Sequence, residues 1–314
     1  MTNPLPIPDE LRADVPPDAQ ADIRRLRELR SWHGPIAVEP MPGGITNRNY
    51  RVRDAGCDYA ARLCVERPLL GIDRRNEVAC QKAAHSMGIA PEVVHHEDGV
   101  LISRYVSGRT LAAADVRDLG FLPRLAEVLR RLHGSWDRLT GAFLYFCAFQ
   151  TVRSYAQTAF HLGARLPADI DECLEDARRL SRQLAPFVPV LCHNDLLASN
   201  IIADDGRVWL VDWEYAGMGH PLFDLACASS NCAFSASHEA ALLAGYRGSV
   251  VASDLRELRV LKTMAHLREA LWSVIQTIAS DIDFDYFRYA DENFAAYREA
   301  RKRLEIGPVE AGPR

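Results

Sequence analysis

The stretch that decides the fold reads LCHNDLLASNII over residues 191–202 and continues as VWLVDWE over residues 208–214. Two short apolar segments flank Asp204-Asp205-Gly206, a turn-forming triplet, and this arrangement predicts a β-hairpin. Its polar side chains stand at fixed offsets, at Asp195, Asn200 and Asp212. The hairpin therefore brings carboxylate and amide oxygens together from two neighbouring segments.

These residue types suit phosphoryl transfer to a hydroxyl group, which needs an oriented nucleophile and cations on the phosphates rather than covalent help. Asp195 is placed to accept the hydroxyl proton. Asn200 and Asp212 offer the oxygen ligands that Mg²⁺ prefers. His193, close before the expected base, is predicted to brace the catalytic loop by hydrogen bonding. We therefore assign His193, Asp195 and Asn200 to the catalytic loop.

The first hundred residues are dominated by strand patterns. Strands are predicted over residues 36–39, 49–53, 59–65, 92–96 and 100–105. Helical spacing of apolar residues runs from Asp18, a candidate N-cap, to Trp32, and again from Asn76 to Met87. Residues 1–17 contain several prolines and are expected to form a loose arm.

Helical patterns take over after Ser107-Gly108. They are predicted over residues 122–133, 153–162, 169–184, 239–246, 255–278 and 284–304. The chain is thus expected to be an α+β protein with two lobes. A small antiparallel-sheet lobe spans residues 18–106, and a larger, mainly helical lobe spans residues 107–314. Ligand sites favour such junctions between lobes.

The pattern His-x-Asp-x-x-x-x-Asn followed by a second Asp resembles the protein-kinase-like fold, and in particular its small-molecule branch, the aminoglycoside-phosphotransferase-like superfamily. Protein kinases carry H-R-D and D-F-G at these points, whereas this chain has His193-Asn194-Asp195 and Asp212-Trp213-Glu214. With Glu214-Tyr215 added, the pattern is most similar to choline/ethanolamine kinases. The resemblance runs from about Pro42 to Arg303 and implies ATP and Mg²⁺ as cofactors.

The resemblance also implies a nucleotide side. A glycine-containing loop at residues 43–50 would cover the phosphates, an arginine on a strand would pair with a helical glutamate, and the hinge between the lobes would meet adenine. The residues assigned to these roles are Gly44, Thr46, Asn47, Arg62, Glu77, Arg104 and Tyr105. A plain hairpin turn and an unrelated surface Arg and Glu are the alternatives.

The acceptor side is expected in the helical lobe, where the family encloses a quaternary ammonium group with aromatic side chains through cation–π attraction. The residues assigned to it are Asp195, Glu214, Tyr215, Glu269, Trp272, Phe284, Tyr286 and Tyr289. Aromatic residues at helical spacing also commonly pack in a core, which is the alternative. Glu269 stands where many choline kinases carry a second tryptophan, and this favours ethanolamine or a related amino alcohol.

Asp224 matches a further position of the fold, at which a helix-start aspartate hydrogen-bonds the catalytic loop. This role is structural, and an ordinary N-terminal cap is the alternative.

Composition excludes several other classes. The net charge of −5 argues against a nucleic-acid partner. The eight cysteines form no Cys-x-x-Cys pair, so we expect reduced thiols rather than disulfides or a zinc finger. A signal peptide and a long apolar run are both missing from the sequence, so we expect a cytoplasmic protein with no membrane span.

The acceptor stays open at this point. Choline and ethanolamine lead, and thiamine, a sugar or an aminoglycoside are alternatives. A nucleotide-binding pseudo-kinase is disfavoured because the expected base and both metal ligands are present. A protein kinase is disfavoured because only a short segment separates Asp212 from Pro221. The sequence is compatible with a monomer or a homodimer.

Overall fold

Alternation of buried and exposed side chains shapes the first part of the chain into a five-stranded antiparallel sheet. The computed structural model describes residues 19–41, 47–64, 67–204, 206–280, 282 and 284–305. The strands of this sheet are β1 (Ala37–Met41), β2 (Arg48–Asp54), β3 (Cys57–Leu63), β4 (Val93–Glu97) and β5 (Val100–Arg104). Their spatial order is β1-β2-β3-β5-β4. Gly56, with φ of 80°, closes the tight turn between β2 and β3 in a conformation that glycine adopts easily.

The first helix, α1 (Ala19–Glu28), packs on this sheet. Leu26 is completely buried among side chains of the sheet such as Val52 and Ile102. Asp22 accepts hydrogen bonds from Arg48 and Tyr50 on β2. The helix ends four residues before the predicted Trp32, and the predicted cap Asp18 lies outside the described residues. The helix is therefore part of the small lobe.

The second helix, α2 (Arg74–Ser86), belongs to a different core from the sheet that precedes it. Asp73 caps it by accepting from the Asn76 backbone N–H at 2.8 Å. Its buried face, including Cys80 and Ala84, packs within the large helical core. The predicted lobe boundary at residue 106 therefore does not separate the two hydrophobic cores. Helix α2 precedes this boundary in the sequence but packs in the core of the large lobe.

The large lobe consists mainly of helices. They are α3 (Ala113–Val116), α4 (Leu122–Gly134), α5 (Ala148–His161), α6 (Ile170–Ser181), α7 (Pro221–Asn231), α8 (Ala236–Arg247), α9 (Ala252–Ala279) and α10 (Tyr286–Glu305). Its short strands are β6 (Arg109–Thr110), β7 (Val190–Cys192), β8 (Ile201–Ala203), β9 (Val208–Leu210) and β10 (Gly217–Gly219). Strand β8 pairs with both β6 and β9, and β7 pairs with β10.

Helices α3, α5 and α7 differ most from the sequence prediction, and the short α3 was not predicted. Helix α5 begins at Ala148, five residues before the predicted start. Helix α7 was not among the predicted helices, because nearly all of its residues are buried and it shows no polar face from which a period could be read. The α+β, two-lobed architecture itself is confirmed.

Two further features of the structure concern membrane-spanning helices and a cavity. Among the described residues, no helix is both long and apolar enough to cross a lipid bilayer. A cavity of about 890 Å³ lies in the large lobe between α5, α6 and residues 184–189, and its walls include Phe149, Leu174 and Phe187. None of the residues assigned to the site from the sequence lines it.

Candidate active site

The predicted hairpin is present and brings two loops together. Strands β8 and β9 pair in antiparallel register, with Ile201 opposite Leu210. Just beyond them, the Val211 backbone N–H donates to the Asn200 carbonyl oxygen at 3.0 Å. Asn200 and Asp212 are therefore held on adjacent segments at the open end of the hairpin.

Two non-glycine residues at this end have left-handed backbone conformations. Asn194 has φ of 62° and Asp212 has φ of 65°. Such conformations are uncommon for residues with a Cβ, and they cluster at functional sites. The Asn194 side-chain amide compensates locally by donating to the Tyr215 carbonyl oxygen at 3.1 Å.

Asp224 on α7 holds the loop after β7. Its two carboxylate oxygens accept from the backbone N–H groups of His193, at 2.9 Å, and Asn194, at 2.7 Å. It also lies 3.0 Å from His133 Nε2 and is completely buried. Although burial opposes it, hydrogen bonding and charge from the two histidines hold the pKa of Asp224 below its ordinary value. The predicted structural role of Asp224 is confirmed.

His193 lies beneath the loop. It is completely buried, with Nε2 at 2.9 Å from the Val211 carbonyl oxygen, and its ring packs on Trp213. Burial lowers the pKa of His193, which favours the neutral ring. The histidine therefore ties the two loops together, in agreement with the predicted bracing by hydrogen bonding.

Asp195 is nearly enclosed at the centre of the site. The Asn200 amide donates to its backbone carbonyl oxygen at 2.9 Å and approaches its carboxylate at 3.4 Å. Burial raises the pKa of Asp195 to about 7, with the charge of Glu269 adding to the effect and that of Arg268 opposing it. A carboxylate with its pKa near neutrality is well matched to proton transfer.

Arg268 on α9 is a site residue that the sequence reasoning missed. Its Nη2 lies 2.9 Å from the Asp195 carboxylate and 3.4 Å from Glu269, and its Nη1 donates to the Asn194 carbonyl oxygen. A detectable signal existed, because Arg268-Glu269 is a charged pair within an otherwise apolar run of the helix.

The nucleotide side is built around Arg62 on β3. Its guanidinium contacts both Glu77 on α2 and Asp212 after β9, which confirms the Arg62–Glu77 pair. Arg74, also missed from the sequence, lies 2.8 Å from Glu77 and 2.9 Å from Glu214.

Glu214 also accepts from the Asn47 side-chain amide at 3.0 Å. Glu214, predicted on the acceptor side, is thus hydrogen-bonded to Asn47, which is predicted on the nucleotide side. Hydrogen bonds and charge from Arg74, Arg62 and Asn47 lower its pKa against the opposing effect of burial.

The remaining nucleotide-side assignments differ in outcome. Gly44 and Thr46 lie outside the described residues. The backbone N–H of Arg104 donates to the Glu92 carbonyl oxygen, and that of Tyr105 donates to the Asp58 carbonyl oxygen. Both of these backbone donors are thus hydrogen-bonded within the small lobe.

The acceptor side gathers in one corner beside Asp195. Trp272 Nε1 donates to the Tyr215 hydroxyl at 2.9 Å, and the Tyr289 hydroxyl donates to Glu269 at 3.2 Å. The Trp272 ring meets the Tyr289 ring edge-on. The structure thus brings together four of the predicted acceptor residues: Tyr215, Glu269, Trp272 and Tyr289.

Tyr286 and Phe284 lie behind this corner. Tyr286 is 5% exposed, packs edge-on against Trp272, and its hydroxyl lies 2.9 Å from the Ser280 hydroxyl. Phe284 precedes α10, is 39% exposed and packs on both Tyr286 and Tyr289. These two aromatic residues support the corner from its outer side.

The residues predicted to bind a metal fit a hard divalent cation. The Asn200 amide nitrogen is used in bonding to Asp195, which leaves its carbonyl oxygen as a ligand, and Asp212 supplies a carboxylate on the adjacent segment. Oxygen donors of this kind suit Mg²⁺.

Comparison with known proteins agrees with this geometry. The model of the phosphotransferase enzyme family (APH) matches residues 37–261, which is most of the chain. The chain belongs to the phosphotransferase enzyme family. This phosphotransferase is a small-molecule kinase, which confirms the enzyme class predicted from the residues of the catalytic loop.

Relatives and solved structures extend the match. Ethanolamine kinase 2 of Mus musculus is 28% identical, over 93% of this chain and 83% of the relative. A choline/ethanolamine kinase family protein from Mesorhizobium loti superposes with a TM-score of 0.76 at 28% identity, covering 92% of this phosphotransferase and 95% of that chain. Choline kinase LicA from Streptococcus pneumoniae shares the fold, with a TM-score of 0.72, 23% identity and coverage of 92% and 98%.

Proposed function

We propose that the phosphotransferase transfers the γ-phosphoryl group of ATP to the hydroxyl of a small amino alcohol, with ethanolamine and choline as the leading acceptors. One observation carries the proposal: the buried carboxylate of Glu269, beside Trp272 and Tyr289, is joined to Asp195 through a single shared residue, Arg268. A cation site thus lies beside the expected base. The names of the relatives support the same acceptor class.

The chemistry follows from the roles of the side chains. The acceptor hydroxyl oxygen attacks the γ-phosphorus, a new P–O bond forms and the bond to the β-phosphate oxygen breaks, which releases ADP. Asp195 accepts the hydroxyl proton, and Asn200 keeps its carboxylate oriented. Mg²⁺, when bound by Asn200 and Asp212, supplies charge that neutralises the phosphates.

The nucleotide side supplies further positive charge. Arg62 holds Glu77 and Asp212 in place, with Nη2 on Glu77 and Nη1 on Asp212, and adds its positive charge to this side of the site. Arg74 anchors Glu214 and Glu77 on the same side. These contacts orient the donor with respect to Asp195.

The charge of the site argues against an aminoglycoside acceptor. A polycationic substrate needs several carboxylates facing it, whereas Glu214 is already paired with Arg74 and Asp195 with Arg268. Glu269 shares Arg268 with Asp195, so these two carboxylates and one guanidinium leave one excess negative charge. One such charge fits an acceptor with one ammonium group.

The test is an ADP-release assay with ethanolamine, choline, thiamine, sugars and aminoglycosides as acceptors. We expect turnover with an amino alcohol, and we expect Asp195→Asn to lower kcat by about 1000-fold, in line with loss of general-base catalysis. MgATP affinity, measured by calorimetry, should stay near that of the native protein. Asp137→Asn, at an exposed turn, is the matched control. Turnover in Asp195→Asn equal to the native rate would refute the assigned role.

A further inference from the structure

Arg268 lies in the middle of α9 and is only 2% exposed. Burying a guanidinium is costly unless its charge is paired and its N–H groups are hydrogen-bonded. Here the charge is paired with Asp195 at 2.9 Å and with Glu269 at 3.4 Å. Because burying Arg268 is costly, we expect this residue to have a role in the site.

The two carboxylates share one atom of Arg268. Both distances are measured to Nη2, so the oxygens of Asp195 and Glu269 can be no farther apart than the sum of these two short distances. The contact of Nη1 with the Asn194 carbonyl oxygen fixes the guanidinium relative to the catalytic loop. The two carboxylates are therefore bridged by a single nitrogen of a guanidinium that is itself anchored to the catalytic loop.

The cluster formed by Asp195, Glu269 and Arg268 has one negative charge in excess. When Asp195 is deprotonated, as a proton acceptor must be, Asp195 and Glu269 contribute two carboxylates and Arg268 contributes one guanidinium. Asp212, the other acidic group that acts on Asp195, has its own partner in Arg62. A cluster with one excess negative charge is complementary to an acceptor that carries a single positive charge.

Arg268 also occupies an aromatic face. Its guanidinium carbon lies 4.6 Å from the centre of the Tyr215 ring, a cation–π arrangement within the protein. This face of Tyr215 is thus covered by a cation and is not offered to a quaternary ammonium group. The carboxylate of Glu269 can accept N–H bonds, which favours a primary ammonium group.

We propose that Arg268 is a positioning residue that fixes the spacing between Asp195 and Glu269, and that the site thereby selects acceptors whose hydroxyl and primary ammonium are separated by a short chain of two or three carbons. This inference rests on the proposed function and deepens it. The hydroxyl meets Asp195 while the ammonium meets Glu269, and Arg268 sets how far apart the two groups of the acceptor must be.

The test uses a series of linear amino alcohols, from 2-aminoethanol through 3-amino-1-propanol and 4-amino-1-butanol to 5-amino-1-pentanol. Steady-state kcat and KM are measured for the native enzyme, Arg268→Gln and Arg268→Lys. Arg259→Gln is the matched control, since Arg259 lies on the same helix, is half exposed and pairs with Glu239 outside the site. Thermal unfolding and MgATP binding by calorimetry show that each variant is folded.

For the native enzyme we expect kcat/KM to fall by at least about tenfold from the shortest acceptor to the longest, as expected when binding energy depends on a fixed geometry. In Arg268→Gln, kcat for 2-aminoethanol should fall by about 100-fold while KM for MgATP changes by less than about twofold. The dependence on chain length should nearly vanish. Arg268→Lys keeps the charge but not the fork, so it should recover part of kcat without the chain-length selectivity.

Three outcomes would count against these ideas, and they are distinguishable. If the variants keep the native chain-length profile, Arg268 does not set the spacing. If the native enzyme treats all chain lengths alike, the spacing proposal fails while the amino-alcohol function stands. If the native enzyme phosphorylates none of these acceptors or choline, the proposed function itself is wrong.

Discussion

At the residue scale, we expect Glu269 to be the side chain that separates primary from quaternary ammonium acceptors. It accepts from the Tyr289 hydroxyl at 3.2 Å and lies beside Trp272 in the acceptor corner. A charge-assisted hydrogen bond contributes about 1.5–3 kcal/mol. Glu269→Gln should therefore lower kcat/KM for ethanolamine by about 10- to 100-fold.

Choline should suffer less in Glu269→Gln, because its ammonium has no N–H to donate and keeps the aromatic contacts. Parallel kcat/KM measurements with both acceptors check this, with Glu292→Gln, an exposed glutamate of α10, as the control. An unchanged ratio between the two acceptors would show that Glu269 does not discriminate between them.

The sequence identified the site residues that are tied to a local pattern. Asp195, Asn200 and Asp212 stand at fixed offsets on one hairpin, so their neighbourhood was predictable. Arg268 and Arg74 were not, because they reach Asp195 and Glu214 across more than 70 positions of the chain. The contacts of Glu214 were not predictable for the same reason, since its partner Arg74 is distant in the sequence.

At the element scale, the start of α7 supports the catalytic loop. Asp224 accepts hydrogen bonds from two backbone N–H groups of that loop and contacts His133. Its side chain is completely buried. Asp224→Asn keeps the shape but removes the charge and turns one acceptor into a donor. We expect the free energy of unfolding to fall by about 2–4 kcal/mol, as for a broken buried charge pair.

The catalytic loop should also lose its orientation in Asp224→Asn. The factor by which kcat falls should therefore exceed the factor by which the KM for the acceptor rises. Urea unfolding and steady-state kinetics check the two parts. Asp254→Asn is the control, because Asp254 is in the first turn of α9 and lies outside the catalytic loop. Native-like stability and kcat in Asp224→Asn would contradict the supporting role of α7.

The same helix makes stability depend on pH. His220 caps α7, with Nδ1 accepting from the Leu222 backbone N–H at 3.2 Å. Burial lowers the pKa of His220 to about 4, with Arg247 and His133 adding to the effect, while Glu257 lies 3.6 Å from Nε2. Between that value and the ordinary pKa of about 6.5, the unfolded chain binds a proton that the folded chain does not.

The stabilisation from neutral His220 is therefore complete above about pH 6.5 and is lost as the pH falls toward 4, with a loss of about 2 kcal/mol at pH 5. Urea unfolding at pH 7.5 and pH 5 should show a smaller difference between the two pH values for His220→Gln than for the native protein. Equal differences in the two proteins would exclude His220 as a source of the pH dependence.

Elements were predictable from the sequence where one face is polar or a turn is marked. The hairpin around Asp204 and Gly206 and the long α9 were found for this reason. Helix α7 was missed because it is buried all round, and the start of α5 was placed late. The packing of α2 in the large core was not predictable either, since its apolar face does not reveal which lobe covers it.

At the scale of the whole molecule, the sheet and the helical lobe have separate hydrophobic cores. The core of the sheet is small and includes Leu26, Tyr50 and Ile102, whereas the large core includes the buried face of α2. Contacts between charged and polar groups link the two across the site. They include those of Arg62 with Glu77 and Asp212, and of Asn47 with Glu214.

Arg62 should therefore control how tightly the sheet is held to the rest of the molecule. Arg62→Gln removes its charge and leaves Glu77, only 1% exposed, with Arg74 as its cationic partner. Backbone amides of β2 and β3 should exchange faster with deuterium, since local opening costs less once contacts across the site are lost. MgATP should bind at least about tenfold more weakly, because a positive charge on the nucleotide side and the anchor of Asp212 are lost as well.

Hydrogen-exchange mass spectrometry and calorimetry on the same preparations measure both effects. Arg53→Gln is the control, because Arg53 lies on the same sheet and pairs with Asp58 within it, away from the large lobe. If Arg62 only contacted nucleotide, MgATP binding would weaken while exchange in β2 and β3 stayed native. Faster exchange without bound nucleotide, in Arg62→Gln but not in Arg53→Gln, would show that this arginine joins the lobes before ATP arrives.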